Sequence, residues 1–569
     1  MEIEWDVPIE MSDGLILRAD VFKPAGDGPF PVIMTAGPYA KGLAFQEGFA
    51  GMWNNLVAHH PEVERDSTGR YQNWETVDPD KWVPEGYACV RVDSRGAGRS
   101  PGYLDLLSRQ EIDDYAEAIE WAGTQSWSNG KVGLLGISYY AVNQWLVAAR
   151  RPPHLAAICP WEGSSDFYRE FTRHGGILDI FAEAWFPNQI SNVQHGVGDN
   201  GYRNPVTGET VGGPETVDPE TLRQSRADTV AEIKSRPLLD AWYSERTPVL
   251  EDIQVPVLSA ANWAHWLHTR GNFEGYLRVA SEQKWLEVHG LEHYTEFYTD
   301  SGRELQLRFF GHFLKGEATG WDEQPPVQLN LRTVDGGFIE RAEQEWPLDR
   351  TAWTKFHLGP DRRELSPAET TGGTVTIDGT GDGATFWMPP LSEELEITGP
   401  AAAYLRVSSS TDDADIFVTL RLQDERGSDV TFISGLDPHG AVGAGWLRAS
   451  HRAVDDELST PYRPWHTHLS RQALTPGEPV DIVVEIWPTS LIIPAGYRLG
   501  VTITARDFEF DGDGPWPVIY GVEMKGHGMF VHTDTGDRPA ELQQASITLH
   551  LGDDSGYLLL PVIPALDEP

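Results

Sequence analysis

Lys131-Val132-Gly133-Leu134-Leu135-Gly136-Ile137-Ser138-Tyr139-Tyr140-Ala141 is the stretch on which the reading of the fold depends. It reads as a short apolar strand, a tight turn and the start of a helix. The helix runs on through Asn143-Gln144-Trp145-Leu146-Val147-Ala148-Ala149 and stops near Pro152-Pro153, where proline cannot continue it. Gly136 falls where a side chain would collide with neighbouring backbone in so sharp a turn. A serine there has the geometry of a nucleophile elbow, and the helix beneath it offers free amides and a positive dipole end. Gly-x-Ser alone marks no more than a turn serine. The strand-turn-helix setting makes Ser138 the candidate nucleophile. A generic elbow has a small residue two places after the serine; here Tyr140 fills that place and Ala141 comes third.

Outward from this stretch, strands and helices alternate. Residues 1 to 25 alternate apolar and polar around a turn at Asp13-Gly14, which predicts antiparallel strands. Pro31-Val32-Ile33-Met34 and Ala88-Cys89-Val90-Arg91-Val92 read as buried strands. Ile112, Tyr115 and Ile119 share one side of a helix over about 108 to 121. Further strands are expected at Leu155 to Pro160, Val255 to Ser259 and Trp285 to Val288, and a closing helix at Leu305 to Leu314. Such alternation implies an α/β fold with a mostly parallel sheet covered on both faces. The expected catalytic domain is 1–163 and 251–320. Residues 164–250 read as a mainly helical cap, with a helical run from Thr221 to Trp242. From 321 to 569 the texture changes to short β-rich runs with Gly, Pro and Asp turns, such as Ala403 to Val407, Ile416 to Leu420, Asp481 to Ile486 and Leu499 to Ile503. That predicts an all-β sandwich.

Composition narrows the function classes. A chain of 569 residues with 40% hydrophobic residues and 21 tryptophans is globular and too long for one core. The formal net charge of −42 repels nucleic acid and anionic membranes. The two cysteines, Cys89 and Cys159, sit in apolar runs and read as buried free thiols. The N-terminal segment Met1 to Val7 lacks the pattern of a signal peptide, and no apolar stretch is long enough to span a bilayer, so a cytoplasmic protein is expected. His59-His60, His265-x-x-His268 and His174 lack carboxylates at ligand spacing, so neither metal nor cofactor is expected. Gly96-x-Gly98 lacks the third glycine of a dinucleotide fingerprint.

Several segments resemble the cocaine esterase and X-Pro dipeptidyl-peptidase superfamily, which includes the α-amino-acid ester hydrolases. They are Gln125 to Gly133 with Gly136-Ile137-Ser138-Tyr139, Gly37-Pro38-Tyr39-x-Lys41, Asp93-x-Arg95-Gly96-x-Gly98-x-Ser100, Phe309-Phe310-x-x-Phe313-Leu314-Lys315-Gly316, Gly445 to Ser450 and Ile493 to Leu499. The resemblance covers nearly the whole chain. It implies an α/β-hydrolase domain, a helical cap and a C-terminal jelly roll.

Acyl transfer needs a base for the serine, and in this fold the base follows the last strand. The family's Gly-Pro-Trp-x-His falls on His289-Gly290-Leu291-Glu292-His293, so the resemblance implies His293. An oxyanion hole needs two donors. The backbone amide of Tyr139 is one, and the resemblance supplies the Tyr39 hydroxyl as the other. The acid is displaced. The family's aspartate follows the strand at Val255 to Ser259, but aligning Trp263 and Arg270-Gly271 puts His265 in its place. A histidine supplies no negative charge to orient another histidine. In the α/β-hydrolase fold that the resemblance implies, the strand after the nucleophile helix ends on the same side of the histidine loop, so Glu162 at its end is the expected replacement; Asp166 and Glu292 are its competitors. Phe171, Phe181, Trp185, Phe186, Trp242 and Tyr243 could line an acyl or leaving-group pocket.

The expected function is therefore a serine hydrolase that cleaves a carboxylic ester or amide through an acyl-enzyme, with a small-molecule substrate and no nucleic-acid or membrane partner. A homo-oligomer is compatible with the sequence. Acyl transfer to an amine or alcohol and X-Pro or aminoacyl peptidase activity use the same chemistry. The substitution at His265 also admits a binding protein with a decayed triad.

Overall fold

The computed structural model describes residues 1–552 and 555–565. Ten strands build the first sheet. They are β1 (Glu2–Glu10), β2 (Ile16–Lys23), β3 (Phe30–Gly37), β4 (Ala88–Asp93), β5 (Ser128–Ile137), β6 (Leu155–Trp161), β7 (Val257–Asn262), β8 (Lys284–His289), β9 (Val327–Arg332) and β10 (Phe338–Glu343), in the spatial order β1-β2-β4-β3-β5-β6-β7-β8-β9-β10. Strands β3 to β9 run parallel, and β1, β2 and β10 add antiparallel pairings at the edges. The sheet thus continues past residue 320, because β9 pairs in parallel with β8. The sequence-based boundary assigned that segment to the C-terminal domain.

The strands carry near-continuous apolar runs because helices cover both faces. Every residue of β4 and β7 is buried. Leu134, Leu135 and Ile137 of β5 are fully buried, and each such side chain is worth about 1.5–3 kcal/mol. Helix α1 (Arg109–Thr124) buries Ile112, Tyr115, Ala118, Ile119 and Ala122 at three- and four-residue spacing. Its first turn is closed by Ser108, whose hydroxyl accepts the Glu111 amide, while the Glu111 carboxylate accepts the Leu107 amide at 2.5 Å. Helix α2 (Tyr139–Ala148) is buried on all sides, as expected of a helix without a polar face. The turn into it depends on Gly136: a Cβ there would lie 2.5 Å from the Tyr140 Cβ and 3.1 Å from the Glu75 carbonyl oxygen. Helices α3 (Thr269–Arg278) and α4 (Asp300–Phe310) follow β7 and β8.

Between β6 and β7 the chain leaves the sheet. This segment holds a π-helical turn (Phe167–Thr172), a small hairpin (Arg173–His174 with Ile177–Leu178) and short helices. The helical run expected from Thr221 to Trp242 is broken into three helices, Pro219–Gln224, Thr229–Ser235 and Ala241–Glu245. An aspartate starts each one: Asp218, Asp228 and Asp240 accept first-turn amides, so each carboxylate punctuates the run. The C-terminal region forms a twelve-stranded sheet. Its strand Leu395–Ser409 pairs with both Val480–Ile493 and Tyr557–Ile563, which curls the sheet into a barrel-like closure. Cys89 and Cys159 are free and buried. Among the described residues, no helix is long and apolar enough to cross a membrane.

Candidate active site

Ser138 joins β5 to α2 at φ 57° and ψ −117°, a conformation that a residue with a Cβ rarely adopts. Its amide donates to the carbonyls of Trp161 (3.1 Å) and Glu162 (3.2 Å), stapling the elbow to the end of β6. Tyr139, the first residue of α2, has no acceptor for its amide within the helix. Other non-glycine residues with positive φ adjoin the elbow or its partners: Ala40 (62°), Glu75 (62°), Glu162 (46°) and Leu291 (70°).

The Ser138 hydroxyl contacts His268, with Oγ and Nε2 3.0 Å apart. His268 immediately precedes α3, and its Nδ1 accepts the Ser164 amide at 3.1 Å. Burial, with His293 nearby, holds its pKa well below the usual histidine value. A neutral ring whose Nδ1 accepts carries its proton on Nε2, so His268 donates to Oγ in this arrangement. Among the described residues, no carboxylate supports it. His265 packs against both His268 and His293, with ring centroids 4.7 Å apart in each case.

His293 lies in the loop after β8. Its Nδ1 is 3.1 Å from Glu162 Oε2 and its Nε2 is 2.9 Å from Glu75 Oε1. Glu162 Oε1 in turn meets His289 Nε2 at 2.9 Å, and His289 Nδ1 meets Glu287 Oε2 at 2.7 Å. The result is a buried chain, Glu287–His289–Glu162–His293–Glu75, in which carboxylates and imidazoles alternate. Burial pushes the His293 pKa down, but the carboxylates of Glu162 and Glu75 outweigh it and raise it to about 9. His289 is raised to about 10 in the same way, burial being outweighed by Glu287 and Glu162. Burial raises Glu162, yet His293 and His289 hold it below the usual carboxylate range. Glu75 is lifted to about 7 by burial, which outweighs its bond to His293.

Of the three carboxylates expected to compete for His293, only Glu162 touches its Nδ1 among the described residues. Asp166 caps the π-helical turn, accepting the amides of Tyr168 and Arg169, and pairs with the Arg169 guanidinium at 2.6 Å. Glu292 accepts from Asn55 at 3.1 Å and from the Thr295 hydroxyl at 3.0 Å. Tyr39 reaches the site from the loop after β3. Asp93 fixes that loop by accepting the Lys41 amide at 2.6 Å and the Arg99 amide at 2.8 Å. The Tyr39 ring packs edge-on against Tyr139 and Tyr140, and its hydroxyl accepts the Trp185 indole N–H at 3.1 Å. Burial above all, with the Glu75 charge next, raises its pKa well above the usual phenol value, so it keeps its proton.

Neither His268 nor Glu75 is legible as a site residue in the sequence. The pair His265-x-x-His268 was visible as a spacing, but only the path from β7 into α3 decides which ring meets the serine. Glu75 lies in a loop with no periodicity to announce it. Phe171, Phe181 and Trp185 pack on one another, and of these Trp185 reaches the Tyr39 hydroxyl. A cavity of about 500 Å³ lined by Phe49, Asn55, Glu292, Tyr294, Leu436 and Tyr520 adjoins the site through the two residues flanking His293.

The imidazoles of His265, His268 and His293 place one nitrogen each within 4.8 Å of one another. They are poorly disposed for a metal. His268 holds its proton on Nε2, and both His293 nitrogens face carboxylates.

Residues 13–295 match the X-Pro dipeptidyl-peptidase (S15 family) model, and residues 319–543 match that of the X-Pro dipeptidyl-peptidase C-terminal non-catalytic domain. A CocE/NonD family hydrolase from Staphylococcus aureus superposes with a TM-score of 0.84 at 31% identity, over 99% of this chain and 93% of that one. The cocaine esterase of Rhodococcus sp. is 25% identical over 585 residues, covering 88% of this chain and 90% of the esterase. An α-amino acid ester hydrolase at 17% identity shares the fold, with a TM-score of 0.70 over 99% of this chain and 96% of that one. The chain therefore belongs to the CocE/NonD hydrolase family, among the serine esterases and peptidases built from these two domains.

Proposed function

We propose that this chain is a serine carboxylesterase that works through an acyl-enzyme on Ser138, with the mixed sheet read as an α/β-hydrolase domain and the closed C-terminal sheet as a jelly roll. The observation that carries the reading is the elbow itself: a strained serine at a helix N-terminus, with its hydroxyl 3.0 Å from a buried imidazole. Oγ attacks the ester carbonyl, and its proton passes to Nε2 of His293, which exchanges Glu75 for Ser138 as the substrate enters. Glu162 keeps the Nδ1 proton and stabilises the imidazolium. His268 orients the hydroxyl by donating to it. The Tyr139 amide and the Tyr39 hydroxyl receive the developing oxyanion. His293 then gives its proton to the leaving alcohol, and water repeats the sequence on the acyl-enzyme. The adjoining cavity supplies mostly apolar room for the acyl or leaving group.

A fluorophosphonate probe tests the nucleophile. Stoichiometric phosphonylation should map to Ser138 and vanish in Ser138→Ala; a fully folded parent that takes up no probe would sink the hydrolase reading. The base has its own test. His293 must lose its proton to act, and its pKa is raised to about 9, so kcat/KM should climb with pH toward that value. Glu75→Gln removes one of the raising carboxylates. It should shift the acid limb to lower pH by about one unit, roughly a tenfold gain on the acid flank. An unmoved limb would show that the titrating group is not His293 beside Glu75.

A further inference from the structure

A second group of ligating side chains lies away from Ser138. Asp507 follows the strand Arg498–Thr504, and His527 and His532 come from the loop after Val522–Glu523. The cap hairpin places His174 against them. Asp507 Oδ1 faces two nitrogens at once, His532 Nδ1 at 2.7 Å and His527 Nε2 at 3.5 Å. His527 is 5% exposed, and among the described residues its buried Nε2 has no hydrogen-bond partner. The three ligand atoms lie within 4.8 Å of one another. The Asp507 carboxylate is held in place through its other oxygen, which accepts the His532 amide at 2.7 Å.

We propose that Asp507 Oδ1, His527 Nε2 and His532 Nδ1 bind a divalent transition-metal ion of the zinc class, at the joint between the C-terminal domain and the hairpin over the first sheet. Two imidazoles and one carboxylate suit zinc, cobalt or nickel and are too nitrogen-rich for calcium or magnesium. His532 Nε2 lies 3.0 Å from His174 Nδ1, and His174 Nε2 lies 3.2 Å from the Glu170 carbonyl oxygen. A His532 that holds the ion through Nδ1 donates from Nε2 to His174, which donates in turn to Glu170, a relay of the kind that orients ligating histidines. The ligands are separated in sequence by 20 and 5 positions and lie outside regular elements, so no spacing pattern announces them.

The test uses the full-length chain, stripped with a chelator and titrated with Zn²⁺ and Co²⁺. One equivalent should bind, with a four-coordinate visible spectrum for Co²⁺ and a Tm rise of roughly 2–5 °C at saturating Zn²⁺. His527 makes none of the relay's bonds, so metal-free His527→Ala should keep the parent fold while losing at least about 100-fold in affinity. Asp507→Asn, which keeps the carboxylate's shape, should weaken binding likewise, and His265→Ala should bind as the parent does. The proposal fails if no equivalent binds, or if binding survives His527→Ala and Asp507→Asn but is lost in His265→Ala, which would put the ion among the imidazoles beside Ser138.

Discussion

Glu162→Gln should lower kcat by about 10³–10⁴-fold with little change in KM. The substitution keeps the side chain's length and position and alters only charge and proton preference. Glu162 lies against His293 Nδ1 at 3.1 Å and is 1% exposed, so water cannot replace the lost charge. A glutamine amide that turned its NH₂ toward Nδ1 would make that nitrogen accept, moving the imidazole proton to Nε2, where the serine's proton has to go. The neighbouring chain sharpens the expectation. His289 holds the other Glu162 oxygen at 2.9 Å and is itself held by Glu287 at 2.7 Å, so the carboxylate has little freedom to leave the ring. Each negative group in this row touches a group that carries or receives a proton, which is how three buried carboxylates coexist so close together. Asp166→Asn and Glu292→Gln serve as comparisons. One loses a capping carboxylate and the other a bond to Asn55, and neither should change kcat by more than about tenfold. Steady-state kinetics on a chromogenic ester, with Tm recorded for each variant, separates the cases. A folded Glu162→Gln enzyme within tenfold of the parent kcat would remove Glu162 from the triad.

The positions that sequence made legible are those tied to regular structure. Ser138 follows an apolar strand and precedes a helix, so its place in the fold is written in periodicity and in Gly136. The approach of Glu162 to His293 follows from strand order. β6 neighbours β7 and β7 neighbours β8, so residues just past β6 and β8 emerge at the same edge of the sheet. His268 and Glu75 are set by loop paths. His268 meets the serine because the chain turns back after β7 and its Nδ1 catches the Ser164 amide. Glu75 reaches His293 from a left-handed backbone position at φ 62°, which no pattern of apolar residues encodes. The same distinction accounts for the segment from Thr221 to Trp242. Its composition is helical, but three aspartate caps divide it. The first sheet extends to β10 because β9 finds an open parallel edge at β8, a pairing between segments that local sequence does not specify.

Tyr39→Phe should cost about 10²–10³-fold in kcat, the size expected for one donor to a developing oxyanion. The hydroxyl oxygen already accepts the Trp185 indole N–H at 3.1 Å. The phenolic proton is thereby turned toward another acceptor, and a substrate carbonyl at Ser138 would supply one. Burial keeps that proton in place. The ring is wedged against Tyr139 and Tyr140 at centroid distances of 5.9 and 5.6 Å, so phenylalanine preserves the packing and removes only the donor. The loss should fall on kcat and kcat/KM together, because the bond strengthens as charge builds on the oxygen rather than when the ester binds. Trp185→Phe acts one step further out. Losing the indole N–H frees the Tyr39 hydroxyl to rotate, and the cost should be smaller, about tenfold. A second readout distinguishes a donor from a wall: phosphonylation of Ser138 also builds charge on an oxygen in the same hole, so its rate should slow in Tyr39→Phe by a factor comparable to the loss in kcat. If ester turnover falls but phosphonylation keeps the parent rate, Tyr39 shapes the substrate pocket and the second oxyanion donor lies elsewhere.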